Sequence, residues 1–268
     1  MKLTDIDEQY TVGVLGDPKT GKTHLIGTLC KLMPTVVVTA DADGLSTLKS
    51  MNVGAEVILV SDWLDIWARL DEITRLAKDF KAIALDDFGS LQDAAVTKVE
   101  RVPRSDREAR MPPADRVTYI RQQILEGNRK LQLQQYGEIT AASDAFLYEF
   151  MRLPYRLKVI TMLSQVREHP RTGKDHIYPN TTGAIRDELL ARFSLIVNSF
   201  IAEYRGQVHY CLTCKPHPRI PTNTRYGVGR TWVDPDFTAL LTHMQRKEEA
   251  ESATEKAIGT GLSTSDSK

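Results

Sequence analysis

The chain has 268 residues, 41% of them hydrophobic and 26% charged, and Lys plus Arg equals Asp plus Glu at 35 each, so the formal net charge is zero. That balance excludes a field of one sign over the whole molecule, so any nucleic-acid partner has to be met by a local patch. The length suits one large α/β domain or at most two small ones. The three cysteines cannot close a disulfide framework, and no run approaches signal-peptide or membrane-span character, so the expectation is a cytoplasmic protein with no membrane partner.

In chain order, the apolar run Thr11-Val12-Gly13-Val14-Leu15 is followed by Gly16-Asp17-Pro18-Lys19-Thr20-Gly21-Lys22-Thr23 and then by His24-Leu25-Ile26-Gly27-Thr28-Leu29-Cys30. Strand, glycine loop and helix is the order that a phosphate-binding P-loop requires, because loop N–H groups and the positive end of the helix must converge on one anion. Gly16, Asp17, Pro18, Lys19, Thr20, Gly21, Lys22 and Thr23 are therefore the expected ATP site. Lys22 would reach the β- and γ-phosphates, and the Thr23 hydroxyl would complete the shell of a Mg²⁺ ion. Asp17 is expected to point away from the phosphates.

Thr35-Val36-Val37-Val38-Thr39-Ala40 reads as a strand covered on both faces and ends in Asp41-Ala42-Asp43-Gly44. Val57-Ile58-Leu59-Val60 is a shorter strand. Ser61 then caps a helix whose apolar face carries Trp63, Ile66, Trp67, Leu70, Ile73 and Ala77. Lys81-Ala82-Ile83-Ala84-Leu85 is a strand ending in Asp86 and Asp87, the arrangement called Walker B. Ligands of parallel sheets collect at strand carboxyl ends, so Asp86 is the expected Mg²⁺ partner, through water, with Asp87 in support. The bland alternative is that both acids only cap the next turn.

Residues 91–127 form a polar, arginine-rich excursion interleaved with acids and broken by Pro103, Pro112 and Pro113. A solvated surface is expected there, with a nucleic-acid arm as the alternative. Helical pattern resumes at Ala145-Phe146-Leu147-Tyr148-Glu149-Phe150-Met151. The strand Leu157–Leu163 exits into Ser164-Gln165-Val166-Arg167 and a basic loop with His169, Arg171, Lys174 and His176. Pro179-Asn180-Thr181-Thr182-Gly183 then leads to a helix around Arg186 to Arg192. Residues 194–201 and 207–214 read as an antiparallel strand pair turning at Tyr204-Arg205-Gly206, and Asp234-Pro235 starts a last helix. His209, Cys211, Cys214 and His217 have zinc-ligand chemistry, but in a strand positions 211 and 214 face opposite sides. The expected ATPase domain spans 1–245, and 246–268 has the composition of a disordered tail.

This order of parts resembles the RecA-like P-loop ATPase core, most closely the phage RecA-like proteins grouped with single-strand annealing proteins of the Sak type. The resemblance runs from about Tyr10 to Met244 and matches 91–127 poorly. It implies an α/β fold with a mostly parallel central sheet flanked by helices and an antiparallel strand pair near the C-terminus. It also implies an ATPase of phage recombination or replication in the host cytoplasm that binds single-stranded DNA, assembles as a ring or filament, and works beside a single-strand-binding protein. By resemblance, Asp43 would activate the attacking water, Gln165 would sense the γ-phosphate, and Arg167, Arg171, Lys174 and Arg186 would lie on the DNA loops. Lys215 resembles the cation a subunit offers to its neighbour's nucleotide. Relatives usually carry Glu where Asp43 stands, which puts fast hydrolysis in question, with Asp41 as a substitute. Two other classes stay open: a P-loop motor or remodeller acting on protein or duplex DNA, and a nucleotide-gated binding module with little hydrolysis.

Overall fold

A computed structural model describes residues 9–61, 63–92, 105–125, 133–169, 173–181 and 189–245. Expectations for Arg171, Arg186, Thr182-Gly183, part of the excursion and the C-terminal tail lie outside these residues, as does the Trp63 side chain.

The core of the molecule is a sheet of β1 (Tyr10–Gly16), β2 (Thr35–Thr39), β3 (Glu56–Leu59), β4 (Ala82–Leu85), β5 (Leu157–Glu168), β7 (Leu195–Tyr204), β8 (Gln207–Thr213) and β10 (Thr231–Val233), in the order β10-β8-β7-β1-β5-β4-β2-β3. From β7 to β3 every pairing is parallel, and β8 and β10 continue the sheet antiparallel. The expected hairpin forms with Arg205 (φ 54°) and Gly206 (φ 74°) at its turn, the two positive φ values that a tight hairpin favours. A short β9 (Asn223–Thr224) pairs with β7.

Strand residues alternate between two apolar layers, as the two-residue period of a pleated strand dictates. Val12, Val14, Val37, Ala82, Ala84, Val159 and Val197 face α1 (Lys22–Leu32), α2 (Leu45–Ser50) and the helical residues 237–245. Leu15, Val36, Val38, Ile83, Leu85, Ile160 and Ile196 face the opposite layer, where α3 (Trp63–Ala68) and α4 (Leu70–Leu76) contribute Ile66 and Ile73. Phe146, Leu147 and Phe150 complete that layer from a long helix at Leu133–Arg152. The single helix expected after Ser61 is divided at Arg69, and Ser61 donates its N–H to Asp65 Oδ2 at 3.0 Å.

Two segments depart from expectation. The excursion contains helices at Asp106–Arg110 and Pro113–Leu125, the first capped by the Ser105 hydroxyl accepting from the Glu108 N–H. Pro113 opens the second helix instead of breaking one, since a first-turn position needs no N–H. The basic loop after Leu163 is the extension of β5 paired antiparallel with β6 (Asp175–Pro179). Its residues are mostly polar and half-buried or exposed, and Ile177 is its contact with the core cluster.

Lys158 is fully buried at the start of β5, donating to Gln9 Oε1 at 2.7 Å and the Tyr155 carbonyl at 3.2 Å. Burial holds its ammonium down to about 8. The unfolded chain therefore binds more protons between about pH 8 and pH 10.5, and this group's contribution to stability rises with pH across that window. Lys158→Met should raise stability at pH 7 by on the order of 2–3 kcal/mol. The advantage should vanish above pH 10.5, measured as the difference between wild-type and variant denaturant midpoints over pH.

Candidate functional site

β1 ends at Gly16, and the chain turns into α1 through Lys19 (φ 65°) and Gly21 (φ 91°). A Cβ on Gly16 would stand 2.5 Å from the Ser199 carbonyl of β7, so the loop lies closer to its neighbour strand than any side chain permits. The loop is tied down on several sides. Thr20 Oγ1 donates to the Asp17 carbonyl at 2.8 Å, and Ser199 Oγ donates to the Thr20 carbonyl at 2.6 Å. The Asp17 carboxylate accepts from Ser164 Oγ on β5.

Lys22 is buried, and its ammonium donates to the carbonyls of Gly16 at 2.8 Å and Asp17 at 2.7 Å. An ammonium has three donors, so one is left for a phosphate oxygen. Burial lowers its pKa, against the opposing pull of Asp87, Asp86 and Asp17. Thr23 Oγ1 donates to Asp86 Oδ2 at 2.7 Å, and Thr161 Oγ1 on β5 donates to Asp86 Oδ1 at 2.6 Å. Burial nevertheless raises the Asp86 pKa, with the neighbouring Asp87 adding to the effect and the hydroxyls and Lys22 working against it. Burial thus disfavours the charged form of both Lys22 and Asp86. A hydroxyl beside a buried carboxylate is a hard-oxygen donor set that fits Mg²⁺ as a partial ligand shell completed by water and phosphate. These two residues could hold the ion, which would supply charge neutralisation between phosphate oxygens.

Asp87 caps the helical turn at 88–92, accepting from Ser90 N–H at 2.8 Å and Ser90 Oγ at 3.1 Å. The bland alternative therefore describes Asp87, while Asp86 bonds the P-loop threonine. Asp43 lies in the exposed turn after β2, its N–H bonded to Asp41 Oδ1 at 2.9 Å; no hydrogen bond joins its carboxylate to the P-loop among the described residues. Gln165, just past Ser164, accepts from Arg167 Nε at 2.9 Å and donates to the Pro179 carbonyl at 2.8 Å. Lys215 is exposed beyond β8.

Thr161, Ser164 and Ser199 escape sequence reasoning because each meets its partner across a strand pairing far away in the chain. Tyr210 escapes it too. A cavity of ≈ 400 Å³ above the loop is lined by Lys19, Gly21, Lys22, Thr23, His24, Thr47 and Tyr210. Among the suspected zinc ligands, His209 Nδ1 pairs with Asp234 Oδ2 at 2.7 Å, and Cys214 Sγ lies 3.8 Å from His243 Nε2. Among the described residues no cluster of three or more such side chains could hold a metal, and no helix is long and apolar enough to cross a membrane.

A P-loop at the carboxyl end of a parallel sheet, with a strand-end acid on its threonine, defines a P-loop nucleoside-triphosphatase fold. The family model described as "AAA domain" matches residues 8–226, and the chain belongs to that family, which carries ATP binding and hydrolysis as a general capability. No curated protein matches the chain. Among solved structures, a KaiC-like protein from Pyrococcus horikoshii OT3 is 14% identical, with 84% of this chain and 85% of that chain covered and a TM-score of 0.42. The flagellar accessory protein FlaH from Methanocaldococcus jannaschii is 10% identical, with 85% and 86% covered and a TM-score of 0.40.

Because the Asp86 pKa is raised, its charge costs nothing below the unfolded value near 3.8, costs progressively more stability as pH rises from there to the raised folded value, and keeps that full cost above it. Asp86→Asn should therefore melt higher than wild type at pH 7 without Mg²⁺. In the same variant, Mg²⁺-dependent ATP turnover should fall by roughly 100-fold. A variant that keeps its Mg²⁺ response would remove Asp86 from the metal site.

Proposed function

We propose that the chain is an ATP-hydrolysing P-loop switch, a motor or remodeller that converts nucleotide state into movement of the β5–β6 ribbon. One observation carries this reading: β5 alone supplies Thr161 to Asp86, Ser164 to Asp17, and Gln165 to Arg167 on the ribbon. Gly16 to Thr23 would hold ATP, Lys22 its outer phosphates, and Thr23 with Asp86 the Mg²⁺ ion. Asp43 would orient the attacking water from the turn beside the site. Gln165, next to the residue that touches the loop, would report the γ-phosphate, and contact with a terminal phosphate ordering a nearby segment is a known switching mode. Lys215 would act on a neighbouring subunit in a ring or filament.

A second reading makes the ribbon's ligand single-stranded DNA, as in RecA-like phage recombination with a single-strand-binding protein as partner. Its support is the ribbon face. Cross-strand pairing puts Gln165 with Tyr178 and Arg167 with His176 on one side, while Glu168 and Asp175 pair on the other. On the first face the rings of His169 and His176 lie 4.6 Å apart, and His176 and Tyr178 stack at 6.0 Å. Burial first, then neighbouring His169, Arg219 and His217, hold His176 below its ordinary pKa, which favours its neutral ring. Flat rings beside cations suit unpaired bases better than a duplex.

Replacing Arg167, Arg171 and Lys174 together by Ala should leave ATP binding intact and weaken oligonucleotide binding. The log–log salt slope should flatten by about 0.7 for each phosphate that is no longer neutralised. Fluorescence titration at several salt concentrations, with single-stranded and duplex oligonucleotides and with ATP turnover followed in parallel, separates the readings. ATP turnover that neither nucleic acid changes, with no binding, leaves a protein-directed remodeller; absence of ATP turnover and ATP binding defeats the proposal.

A further inference from the structure

We infer that Tyr210 is the base-stacking wall of the nucleotide site and selects purine nucleoside triphosphates. This rests on the phosphate site proposed above and adds the part of the ligand that the P-loop does not read. Tyr210 is half exposed, at 49%, although it stands on a sheet strand beside the loop. Its ring edge covers the loop glycine: a Cβ on Gly21 would lie 3.1 Å from Tyr210 Cδ1. Together with Lys19, Gly21, Lys22 and Thr23 it walls the ≈ 400 Å³ cavity, where His24 of α1 and Thr47 of α2 supply polar groups. Phosphate donors therefore occupy one part of this space and an aromatic surface another, which is the division of chemistry along a nucleotide.

The ring's backbone is fixed in place. Tyr210 donates its N–H to Asp234 Oδ1 at 2.9 Å, and Asp234 returns its own N–H to the Tyr210 carbonyl at 2.6 Å. The other oxygen of Asp234 takes His209 Nδ1 at 2.7 Å, and Asp234 itself sits at φ 43°, in the left-handed region that Asp adopts more readily than most L residues. With its backbone held, only the ring's own torsions remain to be fixed when a ligand arrives, which limits the entropy lost on stacking. Ile201, paired across the strands with Tyr210 and 47% exposed, extends the apolar surface away from the loop.

The test is calorimetric titration of the full chain with Mg²⁺ and either ATP or inorganic tripolyphosphate, which shares the phosphates but has no base. Tyr210→Ala should weaken ATP by about tenfold or more and leave tripolyphosphate unchanged, while Tyr210→Phe should bind both like wild type. In wild type, ATP and GTP should bind more tightly than CTP and UTP, and that preference should shrink in Tyr210→Ala. If Tyr210→Ala leaves ATP affinity unchanged, or weakens both ligands equally in a variant that melts like wild type, Tyr210 is not the base wall, although the phosphate site stands. If wild type binds neither ligand, the phosphate site fails and takes this inference with it.

Discussion

The carboxylate of Asp86, bridged between Thr23 on α1 and Thr161 on β5, is the constraint on which the arrangement of the site depends. It joins the phosphate-loop helix to the acid strand β4 even though β5 lies between β1 and β4 in the sheet. A buried carboxylate without donors would be too costly to retain, and the two hydroxyls reduce that cost without abolishing it. The residual penalty makes the site receptive to a cation at the edge of Asp86. The position of β5 makes the same strand a structural neighbour of both the phosphate loop and the acid.

That placement matters for what the ribbon can do. β5 stays in the parallel sheet as far as Leu163, paired with Gly16 of β1, and from Ser164 onward pairs only with β6. The transition falls at the residue that bonds Asp17 of the loop, so in the proposed switch a change in the loop would reach the point where the strand leaves the central sheet. Coupling of this kind requires an element with two arrangements. A two-stranded ribbon that touches the core through Ile177 has fewer contacts to break on moving than a strand of the central sheet.

The fold was legible where local pattern carries it. The glycine loop between an apolar strand and a helix, the β-branched run of β2 and the Asp86 strand end each announce themselves within a dozen residues. Less legible were features whose partners are remote in sequence: Thr161 and Asp86 are 75 positions apart, and Ser199 and Thr20 are 179. The ribbon read as loop because its residues lack the apolar alternation that a half-buried strand shows, and its pairing satisfies backbone groups without burying much side chain. The strand-end pattern separates Asp86, expected at the metal, from Asp87, expected in support; the geometry adds that Asp86 bonds the P-loop threonine and that Asp87 caps the next helical turn.

In the proposed reading, the electrostatics of the site would favour nucleotide and metal arriving together. Lys22 and Asp86 share the buried space under the loop, and burial shifts each toward its neutral form. A polyphosphate alone would stabilise the Lys22 ammonium but raise the cost of the Asp86 charge. A divalent cation alone would favour the carboxylate and oppose the ammonium. Bound as a pair they would satisfy both: the phosphates would offset the Lys22 ammonium, and a metal held by Thr23 and Asp86 would offset the carboxylate. The chain's zero net charge fits such a site, which would draw on a few desolvated groups at short range and would need no global field to attract the nucleotide.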